Sequence, residues 1–176
     1  MDFLTNWTPG TVTALGLFPL FMIVAAAVDI ATMKISNRLS ILFIVCFFPA
    51  AWFAGLDLSM VGLHVATGLC ALAVGFVLFA RGLFGGGDAK FLAAIALWMG
   101  WPDTLSFLMM VALAGGALAV ALIAARQFPL PQPLLRYDWV VRLHLKETGI
   151  PYAAALAAGA LIVFPDTDIF AHLVKY

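Results

Sequence analysis

Asp29 closes the apolar run FMIVAAAVDIA, and Asp88 is the residue on which GLFGGGDAKFLAAIALW turns from a glycine run into an apolar helix. An ionisable side chain at membrane depth is costly and is a functional hypothesis by default. Each aspartate also has a plainer explanation. Asp29 reads as a helix-end carboxylate that snorkels near Lys34, and Asp88 as an N-cap accepting from the first amides of the next helix. Brought together, they read differently. Two carboxylates in a site of low dielectric cannot both ionise easily, so one keeps its proton while the other serves as a base towards water. Such a pair hydrolyses. Gly85, Gly86 and Gly87 leave no side chains beside Asp88, so a substrate backbone can come close to the carboxylate. The same run is no nucleotide loop, since it lacks both the Walker pattern and the GxGxxG spacing after a strand.

The elements that must position this pair follow from hydropathy. Of 176 residues, 65% are hydrophobic and 10% charged, with a mean hydropathy of +1.10. A soluble domain carries about a quarter charged residues, so the solvent for most of this chain is lipid. The formal net charge of zero gives no sign of nucleic-acid binding. A bilayer core about 30 Å thick takes roughly 20 residues of helix. The apolar runs predict spans over 11–30, 39–55, 58–80, 83–101, 104–125 and 149–164, with one sizeable loop over 126–148. The expected fold is all-α: a single polytopic membrane domain over 1–176, built as a six-transmembrane-helix bundle. The fourth span is the short one, because its apolar part, 89–101, reaches across only if 83–87 also lie at membrane depth. No basic residue precedes the first run, which therefore reads as a retained span rather than a cleaved signal peptide.

Charge then orients the spans. With the N-terminus outside, Lys34, Arg38, Arg81, Lys90, Arg126, Arg136, Arg142 and Lys146 all fall on the inner side and only Lys175 outside. Asp2, Asp57, Asp103, Asp166 and Asp168 collect on the outer side. This is the positive-inside pattern, and it puts both termini outside the cytoplasm. It also puts Asp29 and Asp88 at inner ends of spans, hence at one depth. Asp138 and Glu147, in the basic loop, read as solvated or paired. Trp7, Trp52, Trp98 and Trp101 fall near outer ends, where indoles favour the headgroup layer. The 126–148 segment, mixed basic and apolar, suits the inner membrane surface.

Other residues read as structural. Cys46 and Cys70 sit in apolar runs without metal or disulfide spacing and are taken as small buried hydrophobes. His64, in mid-span, is expected to hydrogen-bond inside the bundle rather than to act in catalysis. Gly62, Gly68, Gly75, Gly115 and Gly116 are expected to allow close helix contacts. Lys90 lies two residues after Asp88, off its helix face, and reads as an interfacial anchor. Asn37 and Arg38 follow the first span, placed to meet a polar substrate segment or the helix ends.

GGGDAK, from Gly85 to Lys90, resembles the GxGD signature of the type IV prepilin peptidases, shared with the presenilin and signal peptide peptidase group. DIATMKISNRLS, from Asp29 to Ser40, resembles the family's Asp followed by Ile-Pro-Asn, and GIPYAAALAAGAL, from Gly149 to Leu161, is similar to the last span of its short members. The branch most similar is the Flp/Tad-type pilus peptidase, the small form without an extra N-terminal domain. The resemblance implies that Asp29 and Asp88 are catalytic, with Gly85, Gly86, Gly87, Lys90, Asn37 and Arg38 in the motifs and substrate approach. It implies cleavage of a prepilin or pseudopilin leader, after a glycine, at the cytoplasmic face of the bacterial inner membrane. Larger members also N-methylate the product and carry a cysteine-rich zinc loop. This chain lacks those cysteines, so neither methyltransferase activity nor a metal or other cofactor is expected. Ser36 stands in place of the usual proline, and Ala153 in place of a common glycine. Both departures are expected to bear on loop shape and packing more than on chemistry, since neither is expected to touch the aspartates. Competing readings are a proton-coupled carrier or channel component, a noncatalytic pilus assembly factor, and a peptidase of archaellin-type or other leaders. The pilin substrate, the leader-reading residues, the protonated member of the pair and the oligomeric state are open.

Overall fold

A computed structural model describes residues 9–145 and 149–175, and among these the chain is helical without strands. Asp2, Trp7, Lys146 and Glu147, with the side chain of Lys175, lie outside the described residues. The eight α-helices are α1 (Pro9–Thr32), α2 (Asn37–Phe53), α3 (Leu58–Ala80), α4 (Gly86–Met99), α5 (Asp103–Ala125), α6 (Asp138–His144), α7 (Tyr152–Val163) and α8 (Asp168–Lys175). Short 3-10 helices lie at Gln132–Arg136 and Phe164–Asp166.

Local chemistry sets the boundaries. α1 ends where Met33 adopts a left-handed φ of 55° and its N–H donates to Asp29 O at 2.7 Å. Ser36 then caps α2, its Oγ accepting from Leu39 N at 3.2 Å. Its backbone at φ −75°, ψ 141° is one a proline also adopts, so the departure at this position keeps the shape of the turn. Asp57 caps α3 by accepting from Met60 N at 2.8 Å.

Three helices, α1, α3 and α5, are long and apolar enough to cross a membrane, by length and composition. A fourth span arises if α7, its 3-10 extension and α8, which bend by 54° at the break, count as one. α2, α4 and α7, with 17, 14 and 12 residues, fall short of the expected span length. The six-helix transmembrane arrangement is therefore not what helix length alone supports. The reason is clearest for α4. Every residue from Phe91 to Gly100 is buried, and the helix packs mainly on α3, with α2, α5, α7 and α8 also against it. A helix enclosed by protein need not match the bilayer thickness. Gly68 and Gly75 make the α3–α4 approach possible: a Cβ at either would stand 3.1 Å from Leu97 Cβ or Ala89 Cβ. Gly115 has ordinary contacts with Tyr152 and Ala155, whereas a Cβ on Gly62 or Gly116 would meet nothing within 4 Å, so these two do not serve helix contact. The closest glycine contact on α7 is Gly159, where a Cβ would stand 2.8 Å from Val111 N.

The core is aromatic. Trp98 is 0% exposed, stacks on Phe43 with centroids 5.0 Å apart and donates through Nε1 to Phe43 O at 3.0 Å. It is thus a core residue rather than the headgroup anchor its position near a span end suggested; a buried indole satisfies its N–H this way. Trp52 and Trp101 are exposed, as an interfacial role requires. Cys70 is also exposed, on the outer face of α3, so only the half-buried Cys46 comes near the expected packing role. His64 is buried and donates through Nδ1 to Leu97 O at 2.8 Å, as a bundle histidine should. The long outer faces of α3 and α5 carry Leu69, Leu72, Phe76, Met109 and Leu113 exposed, consistent with an integral membrane protein.

Candidate active site

Asp29 sits one turn before the end of α1 and is 4% exposed. Its Oδ2 accepts a hydrogen bond at 2.8 Å from the backbone N–H of Ala153, in the first turn of α7. The first amides of a helix have no intrahelical partner, and Pro151 leads directly into this one. Asp29 thus serves the N-terminus of a helix 124 residues along the chain. It is a buried, fixed carboxylate and not a snorkelling one. The contact also corrects the expectation for Ala153: through its backbone it touches an aspartate directly, because an amide is available there whatever the side chain.

Asp88 lies in the first turn of α4, half-buried. The N-cap is Gly85, not Asp88, and Gly85 makes no side-chain capping bond. The carboxyl of Asp88 folds back over Gly85 so closely that a Cβ at residue 85 would stand 2.6 Å from Oδ2. Gly86 lies against the ring of Phe79, where a Cβ would be 3.2 Å away, and Gly87 against Ile35 O at 3.3 Å. The three glycines therefore do separate work: one leaves room for the carboxylate, and two let α4 start against α3 and the α1–α2 turn.

Asp29 and Asp88 line one cavity of about 440 Å³. Gly85, Gly86 and Gly87 form one wall of it, and Met33, Lys34 and Ile35 another. Gly149, Ile150 and Tyr152 line it from the α7 side, with the Tyr152 ring set edge-on to Phe84 at 5.2 Å between centroids. Of the motif residues, Lys90 and Asn37 meet each other: Lys90 Nζ donates to Asn37 Oδ1 at 3.0 Å, tying α4 to the start of α2. Both are exposed, and neither they nor the exposed Arg38 line the cavity. The residues missed in sequence are the left-handed Met33, Lys34, Ile35 and the Gly149–Tyr152 stretch. The signal available for the last was the proline ahead of a helix start, which advertises free amides.

Among the described residues no three His, Cys, Asp or Glu side chains gather as metal ligands would. What the cavity offers is two carboxylates, a nearby cation in Lys34 and an open backbone-lined wall, a set suited to bind an extended peptide and deliver water to it. A family model for the type IV leader peptidase family matches residues 16–120, which include both aspartates and the glycine run. No curated protein and no solved structure matches the chain.

Proposed function

The chain belongs to the type IV leader peptidase family, and from that premise we propose that it is an aspartic endopeptidase that removes the leader of Flp-type prepilins or pseudopilins at the cytoplasmic membrane face. The observation that carries this reading is the shared cavity: Asp29 from α1 and Asp88 from α4 line it together, beside a wall of glycines. The family supplies a leader peptidase-like activity; the aspartic mechanism and the substrate are the proposal.

In this mechanism the scissile peptide lies along Gly85–Gly87, where no side chain holds it off. One aspartate, ionised, takes a proton from water as the oxygen attacks the scissile carbonyl carbon. The other, protonated, donates a hydrogen bond to the developing oxyanion. The proton taken from water then passes to the leaving amine as the C–N bond breaks, and the pair returns to its shared-proton state. Which aspartate starts protonated is a property of the pair. The Ala153 amide holds Asp29 Oδ2 in place through the cycle. In the membrane the chain forms six spans with both termini outside, in the bacterial inner membrane. α2, α4 and the α7–α8 pair complete the set despite their length, α4 being the one that its neighbours enclose. No N-methylation is assigned, since the sequence holds two cysteines, Cys46 and Cys70, both within helices.

A carrier reading would want acidic groups distributed across the bilayer, whereas Asp29 and Asp88 share a single cavity. Co-expression with a candidate prepilin tests the proposal by following leader removal for wild type, Asp29→Asn and Asp88→Asn. The proposal expects loss of cleavage in both variants, and unchanged cleavage in either would sink it.

A further inference from the structure

Asp29 is held from outside its own helix, and the parts that hold it are themselves fastened by two arginines. Arg126, at the C-terminal end of α5, donates through Nε to Leu143 O at 2.9 Å and through Nη2 to Gly149 O at 3.0 Å. Arg142, on α6, donates through Nη1 to Ala31 O. Ala31 is in the last turn of α1, where carbonyls lack intrahelical donors, and Asp29 lies two residues before it. Gly149 lines the cavity, four residues before Ala153, whose amide holds Asp29 Oδ2. Leu143 neighbours Arg142 on α6. The contacts close a circuit: from α1 through Arg142 to α6, through Leu143 and Arg126 to Gly149, and through Ala153 back to Asp29.

We infer that Arg126 and Arg142 are positioning residues for the peptidase reaction, fastening α6 and Gly149 to the ends of α5 and α1 so that α7 presents its first amides to Asp29. This rests on the reading of Asp29 as catalytic. Both arginines also belong to the inner basic set, and a residue needed only for topology or for anionic headgroups works as well as lysine. A planar fork reaching two carbonyls at once does not. The inference therefore assigns to geometry what the positive-inside pattern assigns to charge.

Arg126→Lys, Arg126→Gln, Arg142→Lys and Arg142→Gln separate the two. Purified in detergent, each is assayed for leader cleavage and for hydrogen exchange of the segment from Gly149 to Ala153, with the melting temperature as the control for folding. Arg126→Lys, which keeps the charge, is expected to lower kcat by about tenfold or more with KM within about threefold, since a misplaced catalytic group costs turnover more than binding. Exchange of 149–153 should quicken in both Arg126 variants. Arg142→Lys, which retains a donor for Ala31 O, should lose less than Arg142→Gln, and this pair is the control in which charge and geometry predict the same order. Wild-type kcat in Arg126→Lys, or a fall in kcat with exchange of 149–153 unchanged, overturns the inference. The exchange measurement needs no activity. Were Asp29→Asn to cleave normally, the peptidase mechanism would fail while the circuit remained separately measurable.

Discussion

The carboxylate of Asp88 occupies the space that a side chain at residue 85 would need, and this gives the first glycine of the run a specific task. The backbone of Gly85, at φ −72° and ψ 140°, suits any residue, so an alanine there is not strained. The atom it would meet is the mobile end of a carboxylate, which moves instead of the fold. Gly85→Ala is therefore expected to reduce leader cleavage by about tenfold or more, since displacing a catalytic group by about 1 Å can cost a hundredfold. The melting temperature should stay close to wild type; paired activity and unfolding measurements check this, and a lost fold with normal specific activity would oppose it. At this scale the sequence made Asp29 and Asp88 visible, because an acid at the edge of an apolar run is conspicuous. The partner of Asp29 was not visible. Ala153 contributes only its amide, and nothing in the alanine side chain marks a contact that the fold makes from 124 residues away.

Helices carry a different signature. α3 and α4 come together where Gly68 and Gly75 face Leu97, Ala93 and Ala89, while Gly62 and Gly116 face open space. In sequence all four look alike, since composition cannot say which face of a uniformly apolar helix is turned inward. The same ambiguity hid Trp98, which by position could meet headgroups or core and is buried with its N–H on Phe43 O. It also hid the exposure of Cys70. Helix boundaries, by contrast, were readable to within a few residues: the expected 58–80 coincides with α3, and 104–125 with α5 to one residue. A packing test follows. Gly75→Val should destabilise the fold by about 1–3 kcal/mol through overpacking against Ala89. Gly116→Ala should be neutral or stabilising by about 0.5–1 kcal/mol, as helix propensity favours alanine. Thermal unfolding in detergent distinguishes them, and equal effects at both sites would contradict the assigned faces.

Across the whole molecule, the pieces that build the cavity come from α1, the α1–α2 turn, the start of α4 and the entry to α7. All lie on the side that charge assigns to the cytoplasm, as does the 3-10 helix Gln132–Arg136 in the segment after α5. The expected loop over 126–148 contains that 3-10 helix and α6, and α8 was missed as well: its Ile169 and Leu173 are buried while the helix is too polar overall to read as a span. A single cysteine at Gln132, which is exposed, in a background with Cys46→Ala and Cys70→Ala, reports the orientation. It should react with an impermeant maleimide only after the membrane is opened. Labelling in intact cells would reverse the orientation and remove the cytoplasmic face from the proposal.

The central claim is that Asp29 and Asp88 work as one unit, and a double-mutant comparison on purified protein tests it most directly. Leader cleavage is measured for Asp29→Asn, Asp88→Asn and the double variant, each with its melting temperature. Groups that share one proton are strongly non-additive, so each single substitution should lower kcat by about ten-thousandfold or more and the double should lose little beyond either. A single variant that keeps turnover within tenfold of wild type, or single losses that simply multiply in the double variant, would contradict a catalytic pair.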